Sequence, residues 1–378
     1  MSAAVLEGPQ DLVGRAVLHG SAAFDYGLRT GLATAISAAA MTTIGEVVTR
    51  RDAQRLSWYA ELAGCDANRV FPAPPRTKVR AREGESGELG HRKVELLSFD
   101  TPYAALNPHL RAEYARHENN AVAHAQHWRH VAGPRPTLVV VHGFGASPAW
   151  FNASFFGLPE IFEGGWDVLM YKLPFHGSRR GAFTPINGIE LFAHGMAHFT
   201  EAMLHAVFDL RIFIEHLRRQ GAPRVGLTGL SLGGHVTALT AAAEPSLDFA
   251  IPNAAVVDLP RLLRSWFPAN HALGALRALG GLPDETFARA MAVASPLLYP
   301  PVVPHRRRLI VAGLGDRLAP PEQSLLLWEH WQRPRIEWFP GSHVLHVGRE
   351  RYRSALRELM LPPGDRPARA STGGSIPV

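Results

Sequence analysis

The sequence predicts an α/β fold, with a mostly parallel central sheet covered by helices on both faces, a helical insertion late in the chain and a helical extension at its N-terminus. Three observations predict it. Short apolar runs at 94–99, 137–141, 168–173, 225–228, 250–257, 309–312 and 336–339 alternate with longer stretches of helical periodicity, the pattern of strands buried on both faces. Two of these runs empty into glycine-rich turns. Finally, 378 residues with 46% hydrophobic, 9% aromatic and 19% charged content can bury a large core, which excludes a wholly disordered, collagenous or coiled-coil chain.

Taken in order, residues 1–90 read as the helical extension and its linker. Up to about residue 70, apolar residues recur at mixed three- and four-residue spacing, and no strand alternation interrupts them. Phe71-Pro72-Ala73-Pro74-Pro75 breaks any helix, and the charged, glycine-rich stretch 82–90 reads as linker or surface loop. The main domain is expected over 91–362. Within it, 201–220 forms a long amphipathic helix stopped by Gly221 and Pro223, and 321–331 forms another. Residues 259–304, carrying Leu262, Leu263, Trp266, Leu273 and Leu276, form a helical insertion between two strands, where a lid would sit. The Pro-, Gly-, Arg- and Ser-rich residues 363–378 read as a flexible tail.

Charge narrows the function classes only a little. The chain carries 39 Lys and Arg against 33 Asp and Glu, a net charge of +6, which by itself could suit nucleic acid, anionic lipid or acidic substrates. Its tightest basic run, Arg306-Arg307-Arg308, leads straight into an apolar stretch and reads as a solvated flank; no nucleic-acid motif accompanies it. The single cysteine, Cys65, excludes an internal disulfide and a thiolate zinc site, so a cytoplasmic, reducing setting is the simpler expectation. Residues 1–10 hold Glu7 and no basic cluster, against a secretory signal. The uncharged stretch 30–45 falls short of the roughly 20 apolar residues a span requires and reads as a packed or interfacial helix, membrane contact being the weaker alternative. His124, His127 and His130 have even spacing, but residues three apart on a strand alternate faces, so no metal is expected there.

The sharpest chemical signal is Gly229-Leu230-Ser231-Leu232-Gly233-Gly234, between the apolar run 225–228 and a helix-forming stretch 235–243. A serine in a tight strand-to-helix turn is held in a strained backbone conformation, and flanking glycines remove the Cβ atoms that would collide with the adjoining strand and helix. The hydroxyl of Ser231 is thereby exposed as a nucleophile. A nucleophile attacking a carbonyl needs donors for the developing oxyanion. The amide of Leu232, at the positive end of the following helix, supplies one. The amide of Phe144 in the second glycine-rich exit, Val141-His142-Gly143-Phe144-Gly145, supplies the other. His142 reads as a hydrogen-bonding residue of that turn rather than as a base, and with Gly143 is expected beside the substrate.

These two motifs resemble the α/β-hydrolase superfamily of serine esterases, lipases and related acyl hydrolases, a resemblance covering roughly residues 94–360. It implies the chain order nucleophile, acid, histidine. After Ser231 come Asp316, following the apolar run 309–312, and then His343 in Phe339-Pro340-Gly341-Ser342-His343. The resemblance implies that Asp316 holds the tautomer of His343 and that His343 takes the serine proton. Two rivals exist, Asp258, which has the look of a helix N-cap in Asp258-Leu259-Pro260, and His346. The segment Tyr171 to Gly177 resembles the family's loop along the pocket floor, which puts Phe175 against substrate, with Trp266 reaching it from the lid.

The expected activity is thus cleavage of a carboxylic ester or related acyl bond through an acyl-enzyme, with a small acyl substrate as partner and without cofactor or metal. Acyl transfer or thioester cleavage would use the same triad. A non-catalytic module binding an apolar ligand or a protein on the same fold is the alternative from another class. Oligomeric state, acyl identity and the role of residues 1–90 are left open by the sequence.

Overall fold

A computed structural model describes residues 12–42, 46–84, 93–145, 149–181, 184, 186–279, 281–348 and 350–361. The expectations for 1–10 and for the tail 363–378 lie outside the described residues. The chain opens with α1 (Leu12–Thr42), α2 (Glu46–Leu62) and the short α3 (Ala67–Val70). A sheet then forms from β1 (Arg80–Glu83), β2 (Lys93–Asp100) and β3 (Val122–Arg129), with α4 (Arg111–Tyr114) between the last two. The exposed β1 is an addition to the sequence reading, since its Arg-Ala-Arg-Glu composition signals loop, yet it pairs along β2 as an edge strand.

The body then alternates strand and helix: β4 (Thr137–Val141), α5 (Ala149–Phe156), α6 (Leu158–Glu163), β5 (Asp167–Lys172), α7 (Glu190–Ala193), α8 (Met196–Arg219), β6 (Val225–Leu230), α9 (Leu232–Ala243) and β7 (Phe249–Asn253). Three helices follow in a row, α10 (Leu259–Ser265), α11 (Ala269–Ala278) and α12 (Asp284–Ala292), before β8 (Leu309–Gly313), α13 (Pro321–His330), β9 (Arg335–Phe339) and α14 (Glu350–Met360).

The nine strands of the described residues form one sheet in the order β1-β2-β3-β5-β4-β6-β7-β8-β9. From β5 to β9 every pairing is parallel, while β1, β2 and β3 run antiparallel at one edge. Every residue of β4, β6, β7 and β8 is buried, which is why those strands are continuous apolar runs: helices cover both faces, and neither face meets water. On one face the core gathers α8 and α9, where Leu210, Phe213, Val236 and Leu239 are fully buried; on the other it gathers Phe155, Trp166, Phe249 and Leu356. The parallel pairings set the carboxyl ends of β4, β6, β8 and β9 along one edge of the sheet, where such folds bind ligands.

The N-terminal helices share this core. Ile36, Leu56 and Tyr59 belong to the same buried cluster as the sheet and α8. Asp52 of α2 accepts the amides of Met196 at 3.0 Å and Ala197 at 3.1 Å, capping α8 where its dipole favours a carboxylate. The buried carboxylate of Glu201 accepts from the hydroxyls of Tyr59 and Tyr103 and from the amides of Leu106 and Asn107. A buried charge is tolerable only with such a full set of donors. Among the described residues no helix is long and apolar enough to cross a membrane, and Ala33 and Ile36, within the uncharged stretch, face the interior.

Tyr59→Phe removes one of the donors and leaves a buried carboxylate oxygen short of a partner. The expected loss is about 1–3 kcal/mol of stability, read as a lower urea midpoint at unchanged m-value.

Candidate active site

Ser231 stands between β6 and α9 with φ 57° and ψ −113°, a conformation that L side chains rarely adopt and that persists only where surroundings over-determine it. The surroundings are explicit. A Cβ on Gly229 would stand 2.3 Å from the carbonyl oxygen of Gly233, and one on Gly233 would stand 2.2 Å from that of Val141. Strand β6, helix α9 and the exit of β4 therefore approach so closely that only glycine fits at either position. The amide of Ser231 donates to the carbonyl of Asn253 in β7 at 2.9 Å, and its own carbonyl accepts the amide of His235 at 2.9 Å, fixing the bend from both sides.

The neighbouring exit of β4 lies against this bend. A Cβ on Gly143 would meet the Leu230 carbonyl at 3.4 Å and the Ser231 Cβ at 3.7 Å. Leu232 is the first residue of α9, so its amide has no partner within the helix, and Phe144 lines a cavity with Ser231 and Leu232. Asp316 and His343 follow β8 and β9. Nδ1 of His343 is 2.7 Å from Oδ2 of Asp316, and the other Asp316 oxygen accepts the amides of Leu318 at 2.9 Å and Ala319 at 2.7 Å. The two exits are laced by Gly315 N donating to Gly341 O at 2.9 Å. Burial opposes charge on the His343 imidazole, but the adjacent Asp316 carboxylate outweighs it and raises the imidazole above its ordinary range. Burial in turn pushes the Asp316 carboxyl up, against the pull of His343. Among the described residues no hydrogen bond joins His343 Nε2 to the Ser231 hydroxyl.

The rivals have other engagements. Asp258 caps α10, its carboxylate accepting the amide of Arg261 at 3.0 Å. The ring of His346 packs between Phe155 and Phe339, with centroids at 4.3 and 3.9 Å.

A cavity of about 70 Å³ opens at Ser231, lined by Phe144, Leu232 and Trp266 among the residues nominated from sequence. His142, Gly143 and Phe175 are not in that lining. Nδ1 of His142 is 2.7 Å from the Gly143 carbonyl and its Nε2 accepts the amide of Leu173 at 3.2 Å; burial holds the imidazole down at about 4. It ties the β4 and β5 exits together as a neutral ring. Phe175, expected at the pocket floor, is instead fully buried. Its φ of 62° turns the chain, and its ring packs against His117 and His198, with centroids at 5.1 and 5.0 Å.

The sequence reading missed residues of α1. Leu32 and Ile36 line the Ser231 cavity, and Asp25, fully buried, accepts with one oxygen the amides of His343 at 2.8 Å and Arg317 at 3.1 Å. It thus holds both loops that carry the histidine–aspartate pair. A signal exists: Asp25 shares the buried stripe of α1 with Ala22, Ala33 and Ile36, and a carboxylate on an apolar stripe demands a partner.

The sequence profile of the alpha/beta hydrolase family matches residues 138–367. The chain is 33% identical over 315 residues to the uncharacterized protein MT2702 of Mycobacterium tuberculosis (strain CDC 1551 / Oshkosh), covering 79% of this chain and 71% of that protein. It is 33% identical over 285 residues to the uncharacterized protein Rv2627c of Mycobacterium tuberculosis (strain ATCC 25618 / H37Rv), covering 72% of this chain and 64% of that protein, less than two thirds of its length. Among solved structures, the acetyl xylan esterase from Paenibacillus sp. R4 matches with TM-score 0.53 at 13% identity, over 81% of this chain and 93% of that one. Acetyl xylan esterase 1 from Thermoanaerobacterium sp. JW/SL YS485 matches with TM-score 0.54 at 17% identity, over 81% and 92%. At such identities the likeness is one of fold.

Asp25→Ala leaves the amides of His343 and Arg317 without their acceptor, for an expected cost of about 1–3 kcal/mol. Asp25→Asn, which keeps an accepting oxygen, is expected to cost less; thermal unfolding of both variants checks the order.

Proposed function

Because the chain belongs to the alpha/beta hydrolase family, we propose that it is a serine-dependent acyl hydrolase that cleaves a carboxylic ester or related acyl bond through an acyl-enzyme on Ser231. One observation carries the reading: the strained serine of the β6–α9 bend opens on the same sheet edge as a histidine bonded to a buried aspartate at 2.7 Å.

In this reading the Ser231 hydroxyl oxygen attacks the substrate carbonyl while its proton passes to Nε2 of His343. Asp316 keeps the Nδ1 proton in place and stabilises the imidazolium. The amides of Leu232 and Phe144 donate to the oxyanion, where preorganised donors are worth most because they need no reorientation. The leaving group departs with the proton from His343, and a water activated by the same imidazole releases the acid and restores Ser231. The serine–histidine hydrogen bond forms when substrate closes the site, as catalytic contacts of unliganded enzymes commonly do. Helices α10–α12 act as the lid, with Trp266 against the acyl group. A lone cysteine, Cys65, fits work in a reducing compartment such as the cytoplasm.

A fluorophosphonate probe tests the nucleophile: wild type is expected to gain one adduct, and Ser231→Ala to stay unlabelled and to lose turnover of short acyl esters. Labelling that survives in Ser231→Ala contradicts the reading. The pH dependence follows from His343. Only the neutral imidazole can accept the serine proton, so kcat/KM is full above its pKa and is lost as pH falls through it. Because Asp316 raises that pKa, the midpoint is expected above the unperturbed value near 6.5. Asp316→Asn is expected to lower kcat by roughly 10⁴-fold through the wrong tautomer; rates across pH 5–9 in both proteins check this.

A further inference from the structure

The cavity at Ser231, about 70 Å³, is not the largest among the described residues. A second, of about 200 Å³, lies beyond Ile36, Phe192 and Leu263, side chains that line both. The far walls come from Ala53 and Leu56 of α2, from Leu273 and Leu276 of α11 and from Phe287 of α12. Some of the polar groups around it are engaged elsewhere. Asp52 holds the α8 amides, and Arg277 pairs with Asp284 at 2.7 Å on an exposed rim. The Ser37 and Thr49 hydroxyls in the lining have no hydrogen-bond partner among the described residues, and the rest of the inner wall is mainly hydrocarbon.

The space opens to solvent beside the exposed Arg264, Asn270 and Arg277 and is lined elsewhere by buried apolar side chains such as Ala53, Leu56 and Leu263. An apolar cavity of roughly 150 Å³ is already enough to take up benzene. Ile36, Phe192 and Leu263 belong to the lining of both spaces, so the two adjoin across these side chains. Its position is also specific: the far cavity is bounded on one side by the N-terminal helices and on the other by the three helices between β7 and β8, so neither group alone encloses it.

We propose that the two cavities are one binding site for an unbranched acyl chain longer than the Ser231 cavity alone can hold, with its carbonyl at Ser231 and its tail lodged between α2 and α11–α12. The inference rests on the acyl-hydrolase reading for its chemistry, and its substrate class is a medium- or long-chain fatty acyl ester. Helices α1 and α2 then supply a wall of the acyl site.

The test is a chain-length series of p-nitrophenyl acetate, butyrate, octanoate and dodecanoate with wild type, Ala53→Phe and Ala272→Phe, two fillers from opposite walls. Burying a methylene is worth about 0.8 kcal/mol, or about 4-fold, so wild-type kcat/KM is expected to climb by up to that factor per added carbon from butyrate to octanoate. Each filler is expected to lower the dodecanoate-to-butyrate ratio at least tenfold. A wild type whose rates fall beyond butyrate, or folded fillers that keep the wild-type ratio, overturns the proposal. Calorimetric titration with dodecanoate reads the site without turnover. Binding to wild type that Ala53→Phe and Ala272→Phe weaken supports the acyl site even if no ester is cleaved, an outcome that would count against the hydrolase reading alone. Absence of dodecanoate binding overturns the site.

Discussion

The close approach of three backbones at the β6–α9 bend is the constraint on which the rest of the site depends. Gly229 and Gly233 bring strand β6, helix α9 and the exit of β4 within distances that admit no Cβ, 2.3 and 2.2 Å to the facing carbonyl oxygens. Ser231 is thereby held at φ 57°, and the same contact sets Gly143 beside it and brings Phe144 to the shared cavity. Strained backbone of this kind costs on the order of 1–3 kcal/mol. The buried strands on either side, packed on both faces, supply the cooperative stability that sustains it. In the proposed reading fold and chemistry meet here, because the amides of Leu232 and Phe144 and the Ser231 hydroxyl would be positioned by main chain that a rigid sheet holds in place.

The second half of the site is held by longer-range contacts. Asp316 is fixed by the amides of Leu318 and Ala319, and His343 by Asp316. Beneath both loops, Asp25 of α1 bonds the amides of Arg317 and His343. A helix near the start of the chain is thus part of the floor of a site made by loops some three hundred residues later. Helix α1 also carries Leu32 and Ile36 to the cavity wall, and α2 anchors the start of α8 through Asp52. Loosening these helices would be felt at the histidine and in the Ser231 cavity together, which ties stability of the N-terminal helices to the geometry of the sheet edge.

What could be read from the sequence is what has a local signature. Buried parallel strands are unbroken apolar runs, so β4, β6 and β8 stood out; tight turns leave glycines, so the Ser231 bend and the His142-Gly143 exit stood out too. The capping role of Asp258 was legible because a cap needs only its own helix. Contacts between distant segments were not. Nothing near Asp25 announces Arg317 or His343, and the apolar spacing of α1 fits a packed helix of any kind. Phe175 misled for a related reason: the resemblance of its loop said nothing of which way a residue with φ 62° would turn its ring, and the rings of His117 and His198 that receive it come from elsewhere. Strand β1 was hidden because an exposed edge strand has polar residues on both faces.

In the proposed function Ser231 carries the acyl group during turnover. The most direct measurement is rapid acid quench of wild-type protein mixed with an excess of p-nitrophenyl octanoate, followed by intact-mass and peptide mass spectrometry. An octanoyl adduct on the peptide containing Ser231 is expected to appear with the burst of nitrophenol and to decay as turnover proceeds. Release of nitrophenol with no adduct, or with the octanoyl group on another side chain, would contradict this function.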